Sequence, residues 1–242
     1  MPMASNKFAT KPIYQQLRDA LAERISGRDW RPGHALPNEA DLAREFGVSV
    51  GTVRKALDLL ERERVVIRKQ GRGTFVTDFE SQDIASRFTH LCSPEGKPIA
   101  ASISATPPRE APADEDERER LGLDADARIY RFRRICSVDG TLFMVERVVV
   151  PAALFPRLAK GADPAQQHIA SLAQQEGLLL GRAQERISIR PATEAACEEL
   201  GVPVGRPMLV LDRVVRALDG RPVEWRVAEC LPSQLCYVAE MT

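Results

Sequence analysis

The chain has 242 residues, 44% of them hydrophobic and 28% charged, with 34 Lys/Arg against 34 Asp/Glu. Together with a mean hydropathy of −0.25, this fits one large or two smaller globular domains and excludes disorder throughout. No apolar run approaches the roughly 20 residues that a bilayer requires, and MPMASNKFATKPIYQQL has no apolar core ahead of a small-residue cleavage site, so a cytoplasmic protein without a membrane partner is expected. The zero net charge hides a division: residues 1–78 hold 14 basic and 10 acidic side chains, leaving 20 and 24 for the remainder. A basic head on an acidic body suits a polyanion only if the cations share a face.

From Pro12 to about Gly27 the apolar residues Ile13, Leu17, Leu21 and Ile25 recur every fourth position, which predicts an amphipathic helix followed by a loop with a Pro32-Gly33 turn. Asn38 with Asp41 three residues on resembles a cap for a short second helix carrying Leu42, Ala43 and Phe46 and ended by Gly47. Ser49 caps a third helix, to about Arg62, whose buried stripe is Val53, Ala56, Leu57 and Leu60. VVIRKQGRGTFV then reads as a hairpin with its tip at Gly71-Arg72-Gly73, a wing behind a helix-turn-helix. The domain so defined covers residues 8–78, with a polar linker at 79–89 and a second domain at 90–242.

In the second domain RIYRFRRICSV and LFMVERVVV flank Asp139-Gly140, and PMLVLDRVVRAL and PVEWRVAECL flank Asp219-Gly220, giving two predicted β-hairpins. PAALFPRLA and QQHIASLAQQEG look helical, ISIRPA looks like a strand end, and TEAACEELG reads as a capped helix. PPREAPADEDERER reads as a polar loop running into an acidic, solvated helix, and no repeat at a fixed period is apparent. The fold class is therefore α+β around an antiparallel sheet. Cys92, Cys136, Cys197, Cys230 and Cys236 are odd in number and contain no CxxC pair, which favours buried free thiols over a disulfide framework or a zinc site.

If the third helix enters a major groove by its N-terminal end, its outward residues Ser49, Val50, Gly51, Thr52, Arg54 and Lys55 face the duplex, joined by Asn38 before the preceding helix. Ser49 and Thr52 suit phosphate or base-edge contacts, and Arg54 suits a bidentate pair with guanine. Arg68, Lys69, Arg72 and Gly73 on the wing can reach the backbone or the neighbouring minor groove.

From PIYQQL through LPNEADLAREFGVSVGTVRKALDLLERERVVIRKQGRGTFV the sequence resembles the winged helix-turn-helix of GntR-type bacterial transcription regulators. That family typically carries an Arg directly after the recognition-helix Ser and a basic residue early in the preceding helix. This chain has Val50 and Ala40 there, which shifts the expected contacts to Thr52, Arg54 and the wing and leaves Val50 to meet a thymine methyl. The second domain resembles the HutC branch with its UTRA domain, a fold similar to chorismate lyase. RFTHLCSPEGKP, RICSVDGTLFMVERVVVP, SLAQQEG and GRPMLVLDRVVRALDGRPVEWRVAECL carry the likeness.

The resemblance implies a repressor that binds a palindromic double-stranded operator as a homodimer and leaves it when a small effector enters the second domain. Phe88, Thr89, His90, Arg134, Glu146 and Glu224 match effector-binding positions. The relatives that respond to sugar phosphates add a second basic residue near Cys136, absent here, which disfavours a sugar phosphate and leaves a small carboxylate, a sugar derivative or another metabolite as the expected ligand. Arg134 and Glu146 read equally as a cross-strand ion pair on the sheet surface, and Trp225 as pocket wall or core. With His34, His90 and His168 scattered and only Lys97 and Lys160 after residue 78, neither a metal nor pyridoxal phosphate is expected, and no cofactor. No catalytic constellation stands out, so an enzyme is not expected; a lyase-like enzyme and a DNA-binding protein that ignores ligands are the alternatives.

Overall fold

A computed structural model of the protein describes residues 11–78, 91–97, 99, 101–165, 169–233 and 235–238. The chain divides into two compact units, Met1–Asp78 and Phe79–Thr242. The expected linker, 79–89, lies outside the described residues. None of the described helices is long and apolar enough to cross a membrane.

The first unit follows its periodicity: helices α1 (Ile13–Ser26), α2 (Glu39–Phe46) and α3 (Val50–Arg62), then strands β1 (Val66–Lys69) and β2 (Gly73–Val76). Asn38 Oδ1 accepts a hydrogen bond from the Asp41 amide at 2.9 Å, so it caps α2. Gly47, at φ +63°, supplies the left-handed residue that stops α2 and turns the chain into α3. Leu21, Leu42, Val53, Ala56, Leu57 and Leu60 are fully buried where the three helices meet, each larger side chain contributing about 1.5–3 kcal/mol of burial. The hairpin pairs Val66 with Val76 and Lys69 with Gly73. The stretch from Gly33 to Leu36 runs alongside β2, with Leu36 N–H donating to the Thr74 carbonyl and Ala35 bridged to Phe75.

The second unit holds β3 (Leu91–Cys92), β4 (Ser102–Ala105), β5 (Arg109–Pro112), α4 (Glu115–Leu121), β6 (Arg128–Val138), β7 (Thr141–Pro151), α5 (Ile169–Gln175), β8 (Leu180–Pro191), α6 (Glu194–Leu200), β9 (Pro207–Ala217), β10 (Pro222–Cys230) and β11 (Cys236–Tyr237). An antiparallel sheet runs β4-β6-β7-β10-β9-β8, with β5 also paired to β6; β11 and β3 form a separate two-stranded sheet. One face carries two apolar clusters. The first packs Tyr130, Phe132, Val148 and Val150 against α5 and Phe155, and the second packs Phe143, Met144, Leu211 and Ala228 against Leu91 and Leu235. The other face is covered by α4 over Val149 and Trp225, and by Leu200 at the end of α6 over Met208 and Val210.

Both predicted hairpins form about their Asp-Gly turns. Several local expectations need correction. PAALFPRLA makes two short 3-10 turns, Ala152–Leu154 and Leu158–Lys160, because Phe155 lies outside the α region ahead of Pro156. The strand end expected at ISIRPA is the tail of β8, which begins at Leu180. In PPREAPADEDERER, Arg109–Pro112 joins the sheet and Glu117 is fully buried: it closes a capping box with Asp114 and takes two hydrogen bonds from Arg131 at 2.6 and 2.7 Å, so that acidic helix is not a uniformly solvated one. Of the five thiols, Cys197 and Cys236 are only half-buried.

A repeat that the sequence period does not reveal is plain in the fold. α4-β6-β7 and α6-β9-β10 are the same unit, a short helix ended by a left-handed Leu-Gly step and followed by an Asp-Gly hairpin. The two copies meet at β7 and β10 in the middle of the sheet.

Candidate functional site

Two sites emerge, one in each unit. In the first, Ser49 Oγ accepts from the Thr52 amide at 3.1 Å and lies 2.9 Å from Thr52 Oγ1, so both hydroxyls are engaged in starting α3. Val50, Gly51, Arg54 and Lys55 are exposed around that start, as are Asn38 before α2 and Lys69, Arg72 and Gly73 on the hairpin. Gly71 and Gly73, at φ +70° and +107°, allow the tight tip that projects Arg72. Lys69 Nζ sits 4.8 Å from the Phe75 ring centre, its ammonium over the aromatic face.

Two of the expected contact arginines are held within the unit. Arg54 donates to Glu39 on α2 at 2.8 Å, and this carboxylate raises the guanidinium above its ordinary pKa. Arg68 donates to Glu61 at 2.8 Å and pairs with Asp58 at 2.6 Å, which turns it back onto α3. Arg54 must leave Glu39, or carry it along, to reach a base edge. Glu39 was not foreseen as part of the face; its place in the first turn of α2, ahead of the Gly turn, was the available signal.

In the second unit, cross-strand register brings six charged residues together on the face between the two apolar clusters. Arg134 lies directly opposite Glu146, Arg226 opposite Arg213, and Arg213 opposite Glu185. Val148 is opposite Arg226, and residues two apart on a strand share a face, so all five lie on one side with Glu224. Arg226 donates to Glu146 at 2.6 Å and to Glu185 at 3.4 Å. Glu185 also accepts from Arg213 at 2.7 Å and from the Tyr237 hydroxyl at 2.6 Å. Arg134 donates to the Pro164 carbonyl at 2.9 Å and stands 3.8 Å from Glu146.

Arg134 and Glu146 thus form a cross-strand pair, but a buried one, 6% and 3% exposed, and not a pair on the sheet surface. Glu224 is 1% exposed, and its Oε1 has no hydrogen-bond partner among the described residues. Burial raises the Glu224 carboxyl above the ordinary glutamate range, against the pull of Arg134, Arg226 and Arg213. Burial likewise lowers Arg213, helped by Arg226; Arg226, flanked by Glu146, Glu224 and Glu185, is held above its ordinary value although burial acts the other way. Three guanidinium groups, Arg134, Arg213 and Arg226, thus share a nearly water-free place with Glu146, Glu185 and Glu224.

Phe88, Thr89 and His90 fall outside the described residues. Arg213, Arg226, Glu185 and Tyr237 were missed by the sequence reading. The matching Leu-Gly and Asp-Gly steps, Leu121-Gly122 with Asp139-Gly140 and Leu200-Gly201 with Asp219-Gly220, were the available signal, since Arg213 occupies in the second copy the place of Arg134 in the first, and Arg226 that of Glu146. Trp225 alternates with Glu224 and Arg226 and so faces the other side, where its Nε1–H donates to Asp212 at 2.9 Å and Arg147 stacks 4.4 Å from its ring centre. On that side a cleft of about 420 Å³ is lined by Arg120, Arg133, Arg147, Arg190 and Trp225 among others. Glu146 is also among its lining residues, so the cleft borders the buried row.

Residues 13–76 match bacterial regulatory proteins of the gntR family, and residues 106–234 match the UTRA domain. An HTH-type transcriptional regulator of Mycobacterium tuberculosis is 31% identical over 222 residues, 88% of this chain and 80% of that protein. The mannosyl-D-glycerate transport/metabolism system repressor MngR of Escherichia coli is 27% identical, over 89% of this chain and 90% of its own. The transcriptional repressor NagR of Bacillus subtilis is 24% identical, over 92% and 91%. Among solved structures, PhnF from Mycobacterium smegmatis superposes with a TM-score of 0.56 at 24% identity, covering 93% of this chain and 99% of that one, a likeness of fold.

Proposed function

Because the chain belongs to the gntR family of bacterial regulatory proteins, with a UTRA domain in its second unit, we propose that it works as a cytoplasmic HutC-type repressor released from its operator by a small molecule. It is a metabolite-responsive DNA-binding regulator. The observation that carries the DNA-binding half is the Ser49-capped start of α3, with Val50, Gly51, Arg54 and Lys55 exposed beside a wing bearing Lys69 and Arg72. A helix about 10–12 Å across enters a major groove about 12 Å wide, and its N-terminal dipole favours phosphate oxygens.

The effector occupies the row of Arg134, Glu146 and Glu224. Support comes from Glu224 Oε1, which has no hydrogen-bond partner among the described residues, and from the three guanidinium groups beside it, which suit a small carboxylate that also carries a hydroxyl. Such a ligand displaces the Arg134 to Glu146 contact, already loose at 3.8 Å. Two heads bind a palindrome as a homodimer, with half-sites near 34–36 Å apart or a multiple, and Ile187 and Ile189, exposed on the edge strand β8, are the apolar surface offered for pairing. Effector binding favours a different head spacing, and a coupling of about 1–3 kcal/mol suffices for release.

The test is binding of the purified chain to its own upstream DNA, read by fluorescence anisotropy across a salt series. Affinity should fall steeply with salt, as expected when several phosphates are neutralised. Failure to prefer that fragment over an unrelated duplex overturns the reading.

A further inference from the structure

Cys92 and Cys236 stand directly opposite each other where β3 pairs with β11, the last strand described. Their sulfurs are 2.8 Å apart, closer than two thiols in ordinary contact and in reach of a bond about 2.05 Å long. We propose that Cys92 and Cys236 are a redox-active pair that a peroxide converts to an intrachain disulfide. Neither the DNA-binding face nor the effector row uses these two residues.

The surroundings assign each sulfur a part. Cys236 is half-buried and open to a small oxidant, whereas Cys92 is buried; hydrogen bonding to Cys236, and then burial, hold the Cys92 thiol above its ordinary pKa. Cys236 therefore attacks first. Its thiolate sulfur takes one peroxide oxygen, the O–O bond breaks, and a sulfenic acid and an alcohol or water result. Cys92 sulfur then attacks the sulfenic sulfur, the S–S bond forms, the S–OH bond breaks, and the hydroxyl leaves with the Cys92 proton as water. The two thiols lose two electrons and the peroxide gains them. Cys136 and Cys230 are deeply buried with thiols pushed up, Cys136 to about 12 by burial and then Glu146, so they stay out of the exchange.

The bond fastens β11 to β3. β11 also carries Tyr237, whose hydroxyl donates to Glu185 in the charged row at 2.6 Å, so oxidation tethers the strand that supplies one of the contacts closing the row. Any effect on effector response rests on the row being the effector site; the cross-link itself does not.

Reduced full-length protein is treated with hydrogen peroxide, its remaining thiols are alkylated, and unreduced peptides are mapped by mass spectrometry. The expected result is a Cys92 peptide joined to a Cys236 peptide with loss of two hydrogens, while Cys136, Cys197 and Cys230 are alkylated. The thermal midpoint of the oxidised protein should rise by roughly 5–10 °C and return on reduction. Cys92→Ser and Cys236→Ser should each abolish both changes, with circular dichroism verifying that the variants fold. Oxidation that stops at a sulfinic or sulfonic acid on Cys236, a cross-link between two chains, or retention of all thiols at peroxide levels that oxidise glutathione would each overturn the proposal.

Discussion

Glu224→Gln isolates the electrostatics of the buried row. In the wild type the carboxyl is pushed up chiefly by burial, with Arg134, Arg226 and Arg213 pulling it down and Glu146 adding to the rise. The unfolded chain releases this proton near the ordinary value of 4.5, whereas the folded chain keeps it to higher pH. The folded state therefore binds the extra proton. The stability linked to this group is fully present below the ordinary value and is lost as pH rises through the raised folded value. While the unfolded group is ionised and the folded one is not, the loss runs at about 1.4 kcal/mol per pH unit, or roughly 3–6 °C for a domain this size. Glutamine keeps the volume and the acceptor without the titration. Melting curves of both proteins between pH 4.5 and 7.5 should therefore diverge, with Glu224→Gln gaining on the wild type as pH rises. A constant difference, or wild type gaining instead, would falsify the reasoning by showing that the three arginines hold Glu224 ionised.

Other substitutions test the remaining parts. Arg54→Ala should lower discrimination between operator variants by about 1–3 kcal/mol at one base position, while Arg72→Ala should weaken all sequences alike and flatten the salt slope by about one; competitive anisotropy separates the two, and equal small effects contradict the roles assigned. Glu146→Leu removes the nearest carboxylate from Arg226 and should destabilise the second unit by about 3–5 kcal/mol; adding Arg226→Met should recover much of that, because an apolar pair replaces a buried ionic one at little cost. Urea titrations measure both, and a double variant no better than the single argues against their coupling. Leu57→Ala in α3 empties a site only 1% exposed and should cost about 2–5 kcal/mol, with DNA binding recovered on cooling if the recognition face is otherwise intact.

The head was readable from the chain because its determinants are local. A stripe at i, i+3, i+4, i+7, a serine that caps its own helix and a glycine that alone tolerates φ near +60° act within a turn or two of where they sit. The same reasoning failed at Glu117, which looks solvated among the acids of α4 yet is buried by Arg131, a residue on a strand beyond the helix. It also reduced Arg134 and Glu146 to a choice between surface pair and ligand site, since strand alternation says which residues share a face but not which face is covered.

Sequence by itself settled the winged helix-turn-helix, the two Asp-Gly hairpins and the basic character of the head. Only the tertiary structure placed Arg213, Arg226 and Glu185 beside Arg134 and Glu146, left one Glu224 oxygen without a partner among the described residues, and set two sulfurs from opposite ends of the second unit within bonding reach. Helix and turn signals are written between neighbours a few residues apart. A buried charge cluster is written in the register of strands far apart in the chain, and that register is fixed only when the whole sheet closes.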